Sequence, residues 1–134
     1  MEIIYEYILK LLLAVILGGV VGLEREKYHK PAGLRTHMLV AVGSALLTIV
    51  ALSNFVDDSA RIISGIVTGI GFIGAGTIIA QGAKGIHGLT TAATLWAISA
   101  IGICVGVGMY ALALSVTGVI VLVLFLGKLE KSAK

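Results

Sequence analysis

Charged side chains are scarce in this sequence of 134 residues. Only 13% of the residues are Asp, Glu, Lys or Arg, whereas 58% are hydrophobic; a soluble domain would carry about 25% charged residues. So few charges cannot cover a surface exposed to water, which argues against a soluble enzyme, a disordered chain or a nucleic-acid-binding domain. The single cysteine cannot form an internal disulfide, so a disulfide scaffold is also excluded.

The long hydrophobic runs themselves contain almost no ionisable groups. Glu6 and Lys10 in the first run are the exceptions, and their i, i+4 spacing predicts that they pair with each other. Carriers coupled to protons or cations typically hold an ionisable residue within the membrane. We therefore expect transport only through backbone carbonyls, Ser and Thr hydroxyls, or a pore formed by an oligomer.

Signatures of catalysis and of metal binding are missing as well. No nucleophile elbow or similar pattern is present. His29, His37 and His87 include no pair with the i, i+4 spacing of a helical metal site. The sequence predicts a protein that is not an enzyme and that has neither a metal site nor a cofactor.

What the sequence does contain is apolar runs that can cross a bilayer, each of which needs roughly 20 residues. Because lipid offers the backbone no hydrogen-bond partners, such runs form helices. We predict an all-α polytopic membrane protein, with residues 1–134 forming one domain and five transmembrane helices packed in a Gly/Ala-rich bundle. The predicted spans are residues 3–23, 37–56, 62–81, 89–107 and 109–127. A single long helix through 89–127 is the alternative, but the glycines at 106 and 108 indicate a hinge.

The distribution of Lys and Arg predicts the orientation, since cytoplasmic loops are enriched in these residues. With five spans, every Lys and Arg except Lys10 and Arg61 falls on one side, which predicts the N-terminus outside and the C-terminus inside. Acidic residues in place of a basic leader region predict that the first segment is a structural helix rather than a cleaved signal peptide. Trp96, well inside the fourth helix, is expected to pack against a neighbour or to line a cavity.

Small residues at helical spacing predict close helix–helix contacts, because burial from water cannot drive association in lipid. The predicted packing or oligomer face comprises glycines of the first and third helices: Gly18, Gly22, Gly65, Gly69, Gly71, Gly74 and Gly76. The third helix has small residues on two faces, so we place it at the centre of the bundle or between two protomers. A generally glycine-rich membrane helix is the alternative. The spacing Gly69–Gly71–Gly74 also fits a dinucleotide-binding fingerprint, but its place in mid-membrane favours packing.

The predicted inner connection between the first two helices mixes acids with bases. A lipid anchor needs no acids, so we predict a structured ion-pair cluster; a plain basic anchor is the alternative. The cluster comprises Glu24, Arg25, Glu26, Lys30, Arg35, Thr36 and His37. Thr36 is expected to cap the second helix, and Thr90 or Thr91 the fourth. The turn at 82–88 could present backbone N–H groups to an anion, or could be a plain tight turn.

Four segments resemble the MgtC/SapB family of bacterial inner-membrane proteins. The matching segments are Gly18–Gly19 with Gly22–Glu26, then Lys30–His37, Gly69–Gly76 and Gly88–Trp96. They appear in order, at family-like spacing, and cover most of the chain. The resemblance is to the membrane domain of the family; the soluble C-terminal domain that some members carry has no counterpart in these 134 residues. Some members also have Asn and Cys where this chain has Thr90 and Ala97.

The resemblance implies a multi-pass protein of the bacterial inner membrane, active in adaptation to low magnesium or to stress, including the intracellular stress of virulence. It favours a non-enzymatic regulator of other membrane proteins, the proton-translocating ATP synthase among them, over the magnesium transport also attributed to the family. The alternative is a small oligomeric channel or transporter for Mg²⁺, another ion or a small solute. The expected partners are the lipid bilayer, a second copy in a dimer, and other integral membrane proteins, but no nucleic acid. Residues expected to line a cavity or to contact a partner are Thr90, Thr91, Thr94 and Trp96.

Overall fold

The computed structural model describes residues 1–79 and 86–132. All regular structure in those two ranges is helical, so the predicted all-α class is confirmed. The helices are α1 (Glu2–Lys27), α2 (Leu34–Asn54), α3 (Ser59–Ile79), α4 (Leu89–Val107) and α5 (Tyr110–Ser132), with a 3₁₀ turn at Val56–Asp58 before α3. Each of the five helices contains an apolar stretch long enough to cross a membrane.

The helix ends differ from the predicted spans mainly on the charged side. The helix α1 runs on to Lys27 and α2 begins at Leu34, so the connection between them is much shorter than the hydrophobic pattern indicated. The reason is that hydropathy reports where lipid ends, whereas Glu, Arg and Lys are good helix formers that continue a helix into the interface. Glu24, Arg25 and Glu26 therefore lie on α1, beyond the end of the predicted membrane span.

The hinge between the last two helices lies where the glycines predicted it. Gly108 adopts φ +97°, a left-handed conformation that favours glycine. The Gly108 and Met109 N–H groups both donate to the Cys104 carbonyl, at 3.1 and 2.8 Å, which ends α4. Two separate helices thus span 89–127, and the single long helix is excluded.

The central helix of the bundle is α4. Of the two predicted positions for the third helix, the central one is wrong, and the one between the bundle and a second protomer stays a prediction. The helix α4 contacts all four of the others, whereas α3 contacts only α2 and α4 among the helices of the described ranges. Half of the α4 membrane span is buried inside the protein, against 11% of the α3 span. The small residues on two faces of α3 did not indicate which helix is central, because they permit close contact with a neighbouring helix without specifying which one.

Glycines bring α2 close to the helices on both of its sides. A Cβ at Gly18 or Gly22 of α1 would lie 2.7 Å from the His37 carbonyl oxygen or 2.8 Å from Leu34 Cα. On α4, a Cβ at Gly106 would lie 2.7 Å from Thr48 Cβ, and one at Gly102 would overlap the Ala41 carbonyl oxygen. The pair Gly102 and Gly106 was not among the predicted contacts, although its i, i+4 spacing is the signal that could have identified it.

The α3 glycines behave differently from those of α1 and α4. A Cβ added at Gly65, Gly69, Gly71 or Gly76 would meet no atom within 4 Å, and one at Gly74 would only touch Ala92. Within the described residues, α3 therefore presents an open glycine surface to its surroundings. Its use as an oligomer face remains a prediction.

The orientation also remains a prediction, which cysteine labelling tests. In a Cys104→Ser background, Asp57→Cys and His29→Cys place single thiols at exposed positions beyond opposite ends of α2. In spheroplasts, a membrane-impermeant maleimide should label position 57 directly and position 29 only after permeabilisation. The reverse pattern would place the N-terminus inside.

Candidate functional site at the charged end of the bundle

The carboxylate of Glu26 caps the N-terminus of α2. Its Oε2 accepts a hydrogen bond of 2.9 Å from the Leu34 backbone N–H, and the N-cap position is Gly33, which has no side chain to do so. A Cβ at Gly33 would overlap this carboxylate, which explains why glycine stands there. The predicted capping role of Thr36 is wrong, because α2 begins before it and its position lies within the first turn.

Arg25 is buried between α1 and α4 rather than exposed to lipid headgroups. It is only 4% exposed. Its Nη1 lies 3.5 Å from Glu24 Oε2, and its Nη2 donates to Thr91 Oγ1 at 3.4 Å. Both contacts are long for charge-assisted hydrogen bonds, which are usually about 2.7–2.9 Å. Arg25 Nε is buried and has no hydrogen-bond partner among the described residues.

His37 is fully buried and joins α2 to α4. Its Nδ1–H donates to the Gly33 carbonyl oxygen at 2.9 Å, and its Nε2 lies 3.2 Å from Thr94 Oγ1. The Thr94 hydroxyl also lies 2.7 Å from the Thr91 carbonyl oxygen, so its single proton is shared between two acceptors, this oxygen and Nε2 of His37. The side chains of Arg25, Thr91, Thr94 and His37 thus belong to one polar network through the interior. The sequence indicated each of these residues, but not that the loop residues and the α4 threonines meet.

Other predicted site residues lie outside this network. Arg35 is exposed on the first turn of α2, and Thr36 lines a groove between α2 and α3. Lys30 and Thr90 line a cavity at the charged end. Trp96 is 56% exposed and lines neither of these spaces, so no helix of its own chain encloses its ring. Its expected contact with a partner stays a prediction.

A cavity of about 580 Å³ opens beside Arg25, between the end of α1, the start of α4 and α5. This volume lies within the range of small-ligand sites, about 300–1,000 Å³. The polar and charged side chains of its wall are Glu24, Arg25, Lys30, His87, Thr90 and Thr91, together with Tyr28. Val123 and Leu124 of α5 make the opposite side apolar.

A second cavity of about 540 Å³ is a groove along α2 and α3. Its lining includes three glycines, Gly43, Gly65 and Gly69, which have no side chains to fill the groove. Most of the other lining residues are aliphatic. Two buried hydroxyls, Ser44 and Ser99, hydrogen-bond to each other at 2.9 Å beside it. These two buried hydroxyls are therefore already paired with each other.

Metal-ligand chemistry is sparse in what the structure describes. Across residues 1–79 and 86–132, no three His, Cys, Asp or Glu side chains come together in a way that could hold a metal ion.

The predicted ion pair within α1 is confirmed, because Glu6 Oε1 lies 2.8 Å from Lys10 Nζ.

Comparison with known proteins identifies the family. The model of the MgtC family matches residues 11–132, nearly the whole chain. The chain belongs to the MgtC family. No solved structure matches it.

Named MgtC-family relatives are longer than this chain. The protein named "Putative magnesium transporter YhiD" of Escherichia coli K12 is 46% identical over 131 residues, covering 90% of this chain and 60% of that protein. "Protein MgtC" of Salmonella typhimurium LT2 is 43% identical over 118 residues, covering 88% of this chain and 51% of that protein. The chain therefore spans between about half and three fifths of these relatives. Family membership and five apolar helices make it a multi-pass protein of the bacterial inner membrane.

Proposed function

We propose that this protein is a non-enzymatic regulator in magnesium or ion homeostasis that acts by binding helical membrane proteins, including a second copy of itself. The names of the relatives support the link to magnesium. The open glycine face, defined as Gly65, Gly69 and Gly76 of α3, carries the binding part of the proposal.

The open glycine face is suited to a further helix. At about 100° per residue the three glycines lie within about 40° of one another on one side of α3. No atom of the described chain lies within 4 Å of a Cβ at any of them. Small residues let helix backbones approach closely in lipid. The glycines of α1 and α4 are already in contact with α2, whereas this face is available to another chain.

The scarcity of charge within the spans supports binding over ion translocation. The apolar segments 38–54, 62–79, 89–107 and 110–127 contain no Asp, Glu, Lys or Arg. An ion leaving water there would find only hydroxyls and backbone carbonyls as ligands.

Photocrosslinking tests the proposed binding face. Phe72 is 80% exposed and lies about 20° from Gly65 around α3, so a benzoyl-phenylalanine at this position reports on what covers the face. The same residue at Phe125 of α5, 53% exposed, is the matched control. In native membranes we expect a protein adduct from position 72, and weaker or no protein adducts from position 125. Equal yields, or lipid adducts alone, would refute the proposal.

Gly69→Leu should remove the adduct by filling the face. A leucine side chain would hold the partner's backbone away from α3, so we expect association to weaken by roughly tenfold or more, which corresponds to about 1.4 kcal/mol. Gly118→Leu on α5, where a Cβ also meets nothing within 4 Å, is the control. Unchanged oligomer size and stability of Gly69→Leu in detergent would count against the face.

The alternative function is an oligomeric channel or transporter for Mg²⁺, another ion or a small solute. The name of the Escherichia coli relative favours it. Flux into liposomes separates the two functions: a specific, saturable flux of Mg²⁺ or protons through the purified chain would replace the regulator with the transporter, and no flux would support the regulator.

A further inference from the structure

The cavity beside Arg25 has the chemistry of an anion site. We infer that it binds a phosphate group, held by Arg25, Lys30 and the N-terminus of α4. This site goes beyond the proposed function, because it lies at the charged end of the bundle and uses none of the open glycine face.

The first argument is the incomplete hydrogen bonding of the Arg25 guanidinium. A guanidinium has five N–H donors, and buried polar groups are normally all paired. Here its two hydrogen bonds are 3.4 and 3.5 Å long, and Nε has no partner among the residues described. Arg25 is 96% buried yet lines the cavity. An anion in this cavity would accept hydrogen bonds from the guanidinium N–H groups that Glu24 and Thr91 satisfy only at long range or not at all.

The second argument is the N-terminus of α4, which opens into the same cavity. Gly88, Leu89, Thr90 and Thr91 all line it. The first intrahelical hydrogen bond runs from the Ala92 N–H to the Gly88 carbonyl at 2.8 Å, so the N–H groups of the three preceding residues have no intrahelical acceptor. The N-cap is Gly88, at φ +91°, and contributes no side-chain cap. Helix N-termini with free N–H groups favour phosphate.

The composition of the wall decides between an anion and a cation. Arg25 and Lys30 are cationic and Glu24 is anionic, with His87 a further donor or cation. Together with the positive end of α4, this wall repels Mg²⁺ and attracts an oxyanion. The Glu24 carboxylate opposes the ligand and limits its affinity.

The wall also shows how the phosphate could arrive. Val123, Leu124 and Gly127 of α5 face the cavity beside the charged groups. An apolar wall beside a cationic one accepts the headgroup of an anionic phospholipid together with the start of its acyl chains. A soluble phosphate would use only the cationic side of the cavity. Both ligands present a phosphate group to Arg25 and Lys30, so the experiment must distinguish the soluble ion from the lipid headgroup.

Equilibrium binding tests the site with two probes. The full chain is placed in phosphatidylcholine nanodiscs and titrated with radiolabelled inorganic phosphate at constant ionic strength. In parallel, detergent-solubilised protein is offered phosphatidic acid and phosphatidylcholine in equal amounts, and bound lipid is counted by native mass spectrometry. Saturable phosphate binding indicates a soluble ligand, whereas selective retention of phosphatidic acid alone indicates a lipid headgroup. Absence of both overturns the inference.

Matched variants link the binding to this cavity. Lys30→Gln removes a charge from the wall and should weaken binding about tenfold, as expected for the loss of one charge-assisted hydrogen bond. Lys27→Gln removes a charge from the same end of the bundle but not from the cavity wall, and should change binding less than about twofold. If the two variants lost equal affinity for the probe, binding would depend on net charge alone, and the proposed site in this cavity would be overturned.

A second pair of variants tests the two charged groups of the wall at Glu24 and Arg25, each read in protein that has been shown to be folded. Glu24→Gln should strengthen phosphate binding, because it removes the opposing carboxylate from the wall. Arg25→Lys keeps the charge but loses the guanidinium fork, and should weaken binding while the protein stays folded. Stronger binding by Arg25→Lys, or weaker binding by Glu24→Gln in folded protein, would contradict the proposed role of the wall.

Discussion

Gly102→Leu is expected to prevent the bundle from forming, and Gly102→Ala to destabilise it by about 1–3 kcal/mol, the usual cost of overpacking. A Cβ at this position would overlap the Ala41 carbonyl oxygen and lie 2.8 Å from Ser44 Cβ. Both neighbours belong to α2, whose backbone cannot move without losing its contacts with α1. The measurement is the free energy of unfolding in mixed detergent micelles.

The matched control for this prediction is Gly118→Ala on α5, also within a membrane helix. A Cβ there meets no atom within 4 Å, so the substitution changes helix propensity without changing packing. Alanine is favoured over glycine by about 1 kcal/mol in a helix in water, and this gain applies at both positions. The difference between the two variants therefore isolates the contact. Equal stabilities would show that α2 and α4 are less closely packed than described.

His37→Ala is expected to destabilise the protein by about 3 kcal/mol. The substitution removes a fully buried side chain and leaves a cavity, which alone costs about 2–5 kcal/mol for large-to-small changes. It also leaves the Gly33 carbonyl without its side-chain donor. His29→Asn is the control, because His29 is exposed and its φ of +50° is one that asparagine tolerates. We expect it to change stability by less than about 0.5 kcal/mol.

A double-mutant cycle with Thr94→Val separates the hydrogen bond from the packing. The two side chains meet at 3.2 Å between Nε2 and Oγ1, so the cycle should give a coupling of about 1 kcal/mol. Additive effects would mean that His37 stabilises the bundle by volume alone. The cycle is read by the same unfolding experiment, so no assay of function is needed.

Arg25 and Arg35 show where sequence reasoning about the site reached its limit. Both are arginines in the same charged segment, and the pattern placed them in one cluster. In the structure Arg25 is buried against Thr91, whereas Arg35 is exposed on α2. The difference follows from the packing of α1 against α4, which the sequence left open because a contact between distant helices leaves no local pattern. The effect of removing Arg35 is accordingly expected to be smaller than that of removing Arg25.

The sequence by itself determined the class of the protein. Apolar runs of membrane-spanning length predict helices, because the backbone must satisfy its own hydrogen bonds in lipid. The glycines near 106–108 likewise placed the end of α4, since a left-handed residue is a local property of the chain. The pairing of Glu6 with Lys10 was visible for the same reason, as both lie on one helix face.

Only the tertiary structure decided which helix is central and which glycines are in contact. Small residues at helical spacing occur on several helices. They allow another helix to pack closely but do not identify which helix does so. The contacts of α4 with all four other helices, and of His37 with Thr94, join residues that are distant in sequence. Each helix has room for only a few neighbouring helices, so the packing of any one pair depends on the packing of all the others. A local sequence pattern does not specify which helices become neighbours.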